Sequence, residues 1–196
     1  MLTGVHTEAL VALHNAAAAP AVSDPAMRRS DLSALHPVMR SAALEVLRQS
    51  DQEELEFRLF ESLRSPVRQN WLYQQGRMVP NTAIVTRARA WESYHQYGLA
   101  ADFVLFIDGK WSWATNGALG ARWKRLVQIG KSVGLEGLSF EMPHLQVAGL
   151  TLRALQAGKF PAAGDDLWWN NVEAAAISWS GVPAAPGMQS ARPTLS

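Results

Sequence analysis

The 196-residue sequence contains no cysteine. Disulfide bonds, thiolate zinc sites and cysteine nucleophiles are therefore excluded together, and any metal must be held by nitrogen and oxygen ligands. No apolar run approaches the ~20 residues that a membrane-spanning helix needs. An excess of one charge sign is also lacking, because 18 Lys and Arg against 17 Asp and Glu leave a net charge of +1. Nucleic acid is not expected as a partner, since proteins that bind it usually carry a basic face.

The two ends of the chain differ in composition from the middle. No Lys or Arg precedes Arg28, so the positive flank of a secretory signal is missing. Residues 1–29 are interpreted as an alanine-rich arm. Residues 162–196 are rich in proline and alanine, which predicts a loosely ordered tail. Trp168 and Trp169 are the exception within this tail, and we expect them to pack back onto the domain.

The middle of the chain, residues 30–161, is predicted to form one domain of the α+β class. Apolar residues at spacings of two and of three to four predict strands and helices respectively. A hairpin among these elements favours a small antiparallel sheet with helices packed on it over a doubly wound parallel sheet. The predicted elements are a helix from Pro37, a strand at Leu55–Phe60, a helix opened by Ser65-Pro66, a long loop at residues 77–92, a strand at Leu99–Ile107, a return strand at Lys110–Ala114, a helix at Ala118–Val133, an extended segment at Phe140–Val147 and a helical turn at Leu150–Leu155.

Two histidines and two carboxylates stand out as candidates for chemistry. Asp102 interrupts an apolar strand, and a buried carboxylate is costly unless it meets a cation, several donors or a metal. His95 lies seven residues earlier, and Glu141 lies three residues before His144. Two histidines and one aspartate would give zinc three ligands and leave the fourth position for water, as in catalytic sites. Glu141 would then be placed to act as a general base. On spacing alone, a hydrogen-bonded structural set is an equally good interpretation.

A wider pattern of spaced residues resembles the zinc D-alanyl-D-alanine carboxypeptidase and L-alanyl-D-glutamate endopeptidase family, which includes bacterial cell-wall enzymes and phage endolysins. The segments from Leu63 to Arg77 and from Gly149 to Lys159 resemble its endopeptidase branch. The resemblance runs in order from about Leu32 to Pro161, which chance matches to short motifs do not give. The residues that carry the main signature are Ser93-x-His95-x-x-Gly98-x-Ala100-x-Asp102 and Glu141-x-x-His144.

This resemblance implies a zinc cofactor and a fold like that of the hedgehog signalling domain and the D-Ala-D-Ala peptidases. It also implies a role for each matched residue. Arg64 would stabilise a developing oxyanion or hold a substrate carbonyl, a large term in many enzymes; without the resemblance, a salt-bridged strand end is the preferred interpretation. The implied zinc ligands are His95, Asp102 and His144, the implied general acid/base is Glu141, and the implied substrate-binding residues are Ser93 and Gln69.

The expected function is that of a zinc-dependent peptidoglycan peptidase acting on the stem peptide, at the bond between L-alanine and D-glutamate. Relatives usually carry a tryptophan-rich loop before the last histidine. In this sequence Gly134–Phe140 continues directly into Glu141, so the identity of the cleaved peptide bond stays open. A D-Ala-D-Ala carboxypeptidase is the alternative within the family, and a non-catalytic zinc-containing wall-binding module, as in hedgehog domains, is the alternative outside catalysis. As a phage-type endolysin, the protein is expected as a monomer in the host cytoplasm until lysis, when it reaches the cell wall.

Other histidines and tryptophans match no ligand motif. His6, His14 and His36 are interpreted as surface or helix-start residues. Trp111 and Trp113 alternate on the return strand of the hairpin, so that one is expected to face the core and the other the solvent. An aromatic wall for a peptide that carries sugar is the alternative for this pair.

Overall fold

The computed structural model describes residues 24–187, in which helices and strands are interleaved along the chain. The predicted α+β class, with a small antiparallel sheet and helices packed on it, is confirmed. The strands are β1 (Phe57–Glu61), β2 (Ala100–Ile107), β3 (Lys110–Ser112), β4 (Leu135–Leu138) and β5 (Glu141–Val147). The helices are α1 (Pro37–Gln52), α2 (Pro66–Gln74), α3 (Ala118–Ser132), α4 (Leu152–Gln156) and α5 (Asp166–Ile177), with short 3-10 helices at Leu32–Ala34 and Tyr94–Tyr97.

All strand pairs of the sheet are antiparallel, in the order β1-β2-β5-β4, and β3 adds to β2 as a hairpin. The turn at Asp108-Gly109 makes that hairpin, and both residues have positive φ angles, as such turns require. Strand β4 was not predicted, and it lies within Gly134–Phe140, where relatives usually carry a loop. Four residues that include a glycine show little periodicity, and the pairing with β5 supplies the order that the local sequence does not.

The main core lies between the sheet and helices α1 and α3. Serine and proline signals start α2, where the Ser65 side chain accepts from the backbone N–H of Arg68. In α3, Trp123 packs edge-on against Phe57 of β1, with ring centroids 4.9 Å apart. The apolar face of α3 is thereby turned to the sheet, as its spacing predicted. The buried side chains of this core include Met39, Val46, Phe57, Phe103, Leu105, Trp123, Leu126 and Leu145.

The C-terminal segment departs from the sequence-based expectation of loosely ordered chain. Asp165 caps the start of helix α5, where its side chain accepts from the backbone N–H of Trp168. Trp168 and Trp169 are 0% and 2% exposed, so the expected packing of this pair onto the domain is confirmed. Alanine-rich composition suggested disorder, but alanine also favours helix, and two buried indoles supply the apolar contact that such a helix needs. Residues 1–23 of the predicted arm and 188–196 of the predicted tail lie outside the described residues.

The remaining histidine and tryptophan predictions have mixed outcomes. His36 does start a helix, because its side chain accepts from the backbone N–H of Val38 at the start of α1, but it is buried and packs on Trp168. Both Trp111 and Trp113 contact Phe60 edge-on, and Trp113 is the more exposed of the two. His6 and His14 lie outside the described residues. Across residues 24–187, no helix combines the length and apolar character needed to cross a bilayer.

Candidate metal centre

Three elements bring the predicted ligands together. Asp102 of β2 and His144 of β5 are directly opposed in the antiparallel ladder, so their side chains leave the sheet on the same face. His95 comes from the 3-10 helix Tyr94–Tyr97, which Ser93 caps at its start. Gly98 ends this helix with φ 65° and turns the chain into β2. A Cβ at Gly98 would lie 2.8 Å from Trp168 and 3.0 Å from the Ala34 carbonyl, so only glycine fits.

The three ligand atoms form a nearly equilateral triangle. His95 Nε2 lies 3.2 Å from Asp102 Oδ1 and 3.2 Å from His144 Nδ1, and His144 Nδ1 lies 3.4 Å from Asp102 Oδ1. A tetrahedral ion with bonds of about 2.0–2.1 Å has ligand atoms about 3.3 Å apart. All three side chains are buried. The triangle therefore has the dimensions of one face of a tetrahedral metal site.

Outer hydrogen bonds assign the tautomers of both histidines. Nδ1–H of His95 donates to the Ser62 carbonyl at 2.7 Å, and Nε2–H of His144 donates to the Gln146 side-chain oxygen at 3.0 Å. The Gln146 amide in turn donates to Glu136 at 2.9 Å, which fixes its orientation. In the neutral form of each ring, the inner nitrogen is then unprotonated. Two lone pairs and a carboxylate oxygen then face one another in a buried space, and a cation bound between them would stabilise this arrangement. The hydrogen bonds to Ser62 and Gln146 are the outer support that is typical of metal sites.

The electrostatics of the triangle also favour a cation. Burial raises the pKa of Asp102, but His95, His144 and Arg64 outweigh burial and hold that pKa well below its ordinary value. Burial lowers the pKa of His144, but hydrogen bonding and attraction to Asp102, together with the charge of Glu141, raise it above its ordinary value overall. The carboxylate is therefore ionised at neutral pH, and positive charge beside it is stabilised.

Arg64 lies behind the triangle in a buried ion-pair network. Its Nη2 donates to the outer oxygen of Asp102 at 2.9 Å and to Glu61 at 2.7 Å, and its Nη1 donates to Gln69 at 3.0 Å. Glu61 lies opposite Asp102 in the β1–β2 ladder, and its other oxygen accepts from Arg68. Burial raises the pKa of Glu61, but Arg64 chiefly, with His95 and Arg68, lowers it overall. The salt-bridged interpretation of Arg64 is therefore what the structure shows.

An open cleft reaches the triangle from one side. Its volume is about 740 Å³, and its wall includes His144, Glu141, Arg64 and Ser93. A smaller cavity of about 230 Å³ is lined by Asp102, Trp113 and, again, Arg64 and Glu141. Glu141 begins strand β5 and is half-buried. The carboxylate predicted as general acid/base is thus common to both cavities beside the ligands.

No protein-family model matches the chain. Over 109 residues the chain is 37% identical to peptidoglycan L-alanyl-D-glutamate endopeptidase CwlK of Bacillus subtilis (strain 168). The match covers 53% of this chain and 65% of CwlK, so the chain spans just under two thirds of that relative. This similarity supports the endopeptidase family.

The family resemblance implies two substrate-binding residues, Ser93 and Gln69, and the structure places them in different surroundings. Ser93 is half-buried, lines the cleft, and accepts from the backbone N–H of His95 at 3.4 Å. Gln69 is fully buried, where its oxygen accepts from Arg64 and Gln96 and its amide donates to the Ala88 carbonyl. Its position indicates support of Arg64 and of the loop at Ala88 rather than direct contact with substrate.

Sequence reasoning missed several residues that hold the ligands. Gln146 follows His144 by two positions on β5, so the two-residue period of a strand places both side chains on one face. This spacing could have identified Gln146 from the sequence. The sequence also contains a signal for Glu61, because this charged residue lies at the end of an alternating strand and just before Arg64. No sequence signal identifies the Ser62 carbonyl or Glu136, since their roles depend on how distant parts of the chain pack together.

Proposed function

We propose that this protein is a zinc-dependent peptidoglycan peptidase that hydrolyses the stem peptide between L-alanine and D-glutamate. The observation that carries the proposal is the buried triangle of His95, Asp102 and His144, whose lone pairs converge beside the open cleft. Similarity to CwlK, a peptidoglycan L-alanyl-D-glutamate endopeptidase by its name, supports the substrate and the bond.

Zinc fits the donor set better than magnesium or calcium does. Two imidazole nitrogens and one carboxylate oxygen are ligands that zinc accepts, whereas magnesium and calcium prefer sites made of oxygen alone. Three protein ligands leave a fourth position on the cleft side, as in catalytic zinc sites. Zinc bound there would supply a Lewis acid that polarises the substrate carbonyl and lowers the pKa of water towards ~7.

Glu141 is the residue proposed to move the proton. It lines both cavities and lies close enough to His144 and Arg64 to stabilise their positive charge. Its carboxylate would accept a proton from the attacking water and return it to the amide nitrogen that leaves. The hydroxyl group of one water thereby ends in the new carboxyl group, and its proton ends on the new amine.

Arg64 is proposed to do two things at once. It holds the outer oxygen of Asp102, which orients the inner oxygen towards the triangle. Four of its five N–H groups donate to Glu61, Asp102 and Gln69 within the described residues, which leaves one N–H on Nη1. Since Arg64 also lines the cleft, that N–H is placed to donate to the substrate carbonyl oxygen as charge develops there.

Digestion of purified peptidoglycan, followed by mass spectrometry of the muropeptides, tests the proposal. New amino-terminal D-glutamate is the expected product. Release of free D-alanine instead would indicate the carboxypeptidase alternative. Absence of cleavage by the zinc-loaded protein would indicate a non-catalytic wall-binding module and would refute the proposal.

The variant Glu141→Gln tests the proton-transfer role separately. It keeps the shape of the side chain but removes the base, so we expect zinc binding to be retained and turnover to fall by about 10²–10⁴-fold. Turnover close to that of the unsubstituted protein would refute the role. Arg153→Gln, an exposed change on α4 outside the cleft, is the control.

The proposal also includes a phage endolysin role. On this view the protein is a monomer that stays in the host cytoplasm until lysis and then acts on the wall in the periplasm or outside the membrane. Fractionation of producing cells before and after lysis tests the location, and light scattering after gel filtration tests the monomer. Protein found at the wall in intact cells would contradict this part alone.

A further inference from the structure

The cleft beside the triangle contains a basic side chain that the proposed chemistry does not use. Among the described residues that line it, the arginines are Arg64 and Arg87. The charge of Arg64 is offset by Glu61 and Asp102, both within hydrogen-bond distance. Arg87 is exposed, and within residues 24–187 it makes no ion pair or side-chain hydrogen bond. The cleft therefore offers one guanidinium whose five donors are free.

The backbone on both sides of Arg87 is fixed by side chains from helix α2 and the turn after it. Arg77 donates to the Thr86 carbonyl at 3.0 Å, and Gln69 donates to the Ala88 carbonyl at 2.7 Å. The Thr86 hydroxyl also accepts from the Ala88 backbone N–H at 3.2 Å. The long loop predicted at residues 77–92 is thus anchored on either side of its cleft-lining arginine. An anchored backbone lowers the conformational entropy that is lost when a ligand is bound.

The acidic side chains of the cleft do not neutralise Arg87. Within the described residues that line the cleft they are Glu92 and Glu141. Glu92 is engaged by Arg89 at 2.7 Å, and Glu141 lies by Arg64 and His144. An anion that pairs with Arg87 must therefore come from a bound molecule.

The substrate assigned under the proposed function, on which this inference rests, carries such an anion. A glutamate residue inside a peptide has two carboxyl groups, and only one of them is joined to the next residue. The other remains as a free carboxylate close to the bond that is cut on the amino side of that residue. We propose that Arg87 binds this free carboxylate and thereby selects D-glutamate at the position that follows the cleaved bond. A guanidinium fits a carboxylate with two parallel N–H···O bonds.

The test compares two synthetic peptides with the zinc-loaded protein. One is acetyl-L-Ala-D-Glu-L-Lys-D-Ala, and the other has a carboxamide in place of the free D-glutamate carboxylate. We expect kcat/KM for the carboxylate peptide to exceed that for the carboxamide peptide by about tenfold, as loss of a charged hydrogen bond predicts. In Arg87→Gln this preference should disappear through loss of activity on the carboxylate peptide alone. Arg87→Lys should keep part of this preference, because the positive charge remains but the bidentate hydrogen bonding is lost.

Arg153→Gln is the matched control, since it removes an exposed arginine on α4 outside the cleft, and it should keep the full preference. Equal zinc content and equal melting temperatures would show that Arg87→Gln is folded. Equal cleavage of both peptides by the unsubstituted protein, or an unchanged preference in Arg87→Gln, would overturn the inference and leave the proposed function standing. Failure to cleave either peptide or purified peptidoglycan would overturn both.

Discussion

At the scale of single residues, the outer hydrogen bonds explain why two histidines point bare nitrogens at one another. The structure brings together His95, Asp102 and His144, the three residues that the sequence pattern predicted as ligands. The family resemblance predicts which side chains meet, whereas their spacing alone leaves a hydrogen-bonded structural set equally open. It does not predict the Ser62 carbonyl or Gln146, because nearly any folded segment offers a carbonyl or an amide, and only packing decides which one is in reach.

Removal of the Gln146 carbonyl tests the support of His144. In Gln146→Leu the Nε2–H of His144 loses its acceptor, so the tautomer that presents Nδ1 to the metal is no longer favoured. We expect zinc affinity to fall by about 10–100-fold, measured by competition with a chromogenic chelator. Gln128→Leu, on the exposed face of α3, should leave affinity unchanged. Equal affinity in both variants would show that Gln146 has no part in metal binding.

Glu61 is the second residue whose importance the structure reveals. It is buried between Arg64 and Arg68, so Glu61→Gln would leave two buried guanidinium groups without full compensation. We expect the free energy of unfolding to fall by about 3–5 kcal/mol, measured by urea denaturation of the metal-free protein. Glu45→Gln removes a partly exposed partner of Arg48 and should change stability little. A similarly small loss in Glu61→Gln would mean that the buried network adds nothing to stability.

At the scale of helices and strands, local signals predicted the long elements and failed for those that depend on distant partners. Capping residues and apolar spacing placed α1, α2 and α3 to within a few residues. Strand β4 is short and is ordered by its pairing with β5. Helix α5 was hidden by its alanine-rich composition, although its buried tryptophans follow the 3.6-residue period with Val172.

Helix α5 supports the 3-10 helix that carries the predicted ligand His95. Trp168 donates to the Tyr97 carbonyl at 2.7 Å, and Tyr97 belongs to the same 3-10 helix as His95. We expect Trp168→Ala to lower the free energy of unfolding by about 3–5 kcal/mol, because a large buried side chain is replaced by a cavity. Ile177→Ala at the exposed end of α5 should change it little. Equal stability of the two variants in thermal denaturation would contradict the role given to α5.

The contact between α1 and α5 is also expected to respond to pH. Burial lowers the pKa of His36 to about 4, an effect that the Pro161 backbone and, to a smaller extent, Asp165 oppose. The neutral form therefore stabilises the fold above pH ~6.5, and this contribution is lost as pH falls towards 4, because the unfolded chain takes up the proton first. His36→Asn keeps a helix-capping side chain but cannot titrate. The stability advantage of the unsubstituted protein over this variant should shrink by about 2 kcal/mol between pH 7 and pH 5 in urea denaturation; an advantage that does not change with pH would contradict the assignment.

At the scale of the whole molecule, the antiparallel sheet places the key side chains of the candidate site in one row across its strands. Glu61, Asp102 and His144 lie opposite one another across β1, β2 and β5, so the ion-pair network, the ligands and the cleft follow each other across the sheet. Hydrophobic period predicted the α+β class because it is a local property, and the resemblance to a known family predicted the three ligands. They could not predict the row itself, because strand order and register are set by long-range pairing.

Metal analysis of the purified protein tests the central claim most directly. After purification with zinc present and removal of excess metal, inductively coupled plasma mass spectrometry should find one zinc per chain. The same analysis should find one zinc in Glu141→Gln, where the three ligands are intact, and much less in His144→Ala, where one is lost. Absence of zinc from the unsubstituted protein, or full retention of zinc by folded His144→Ala, would contradict the account.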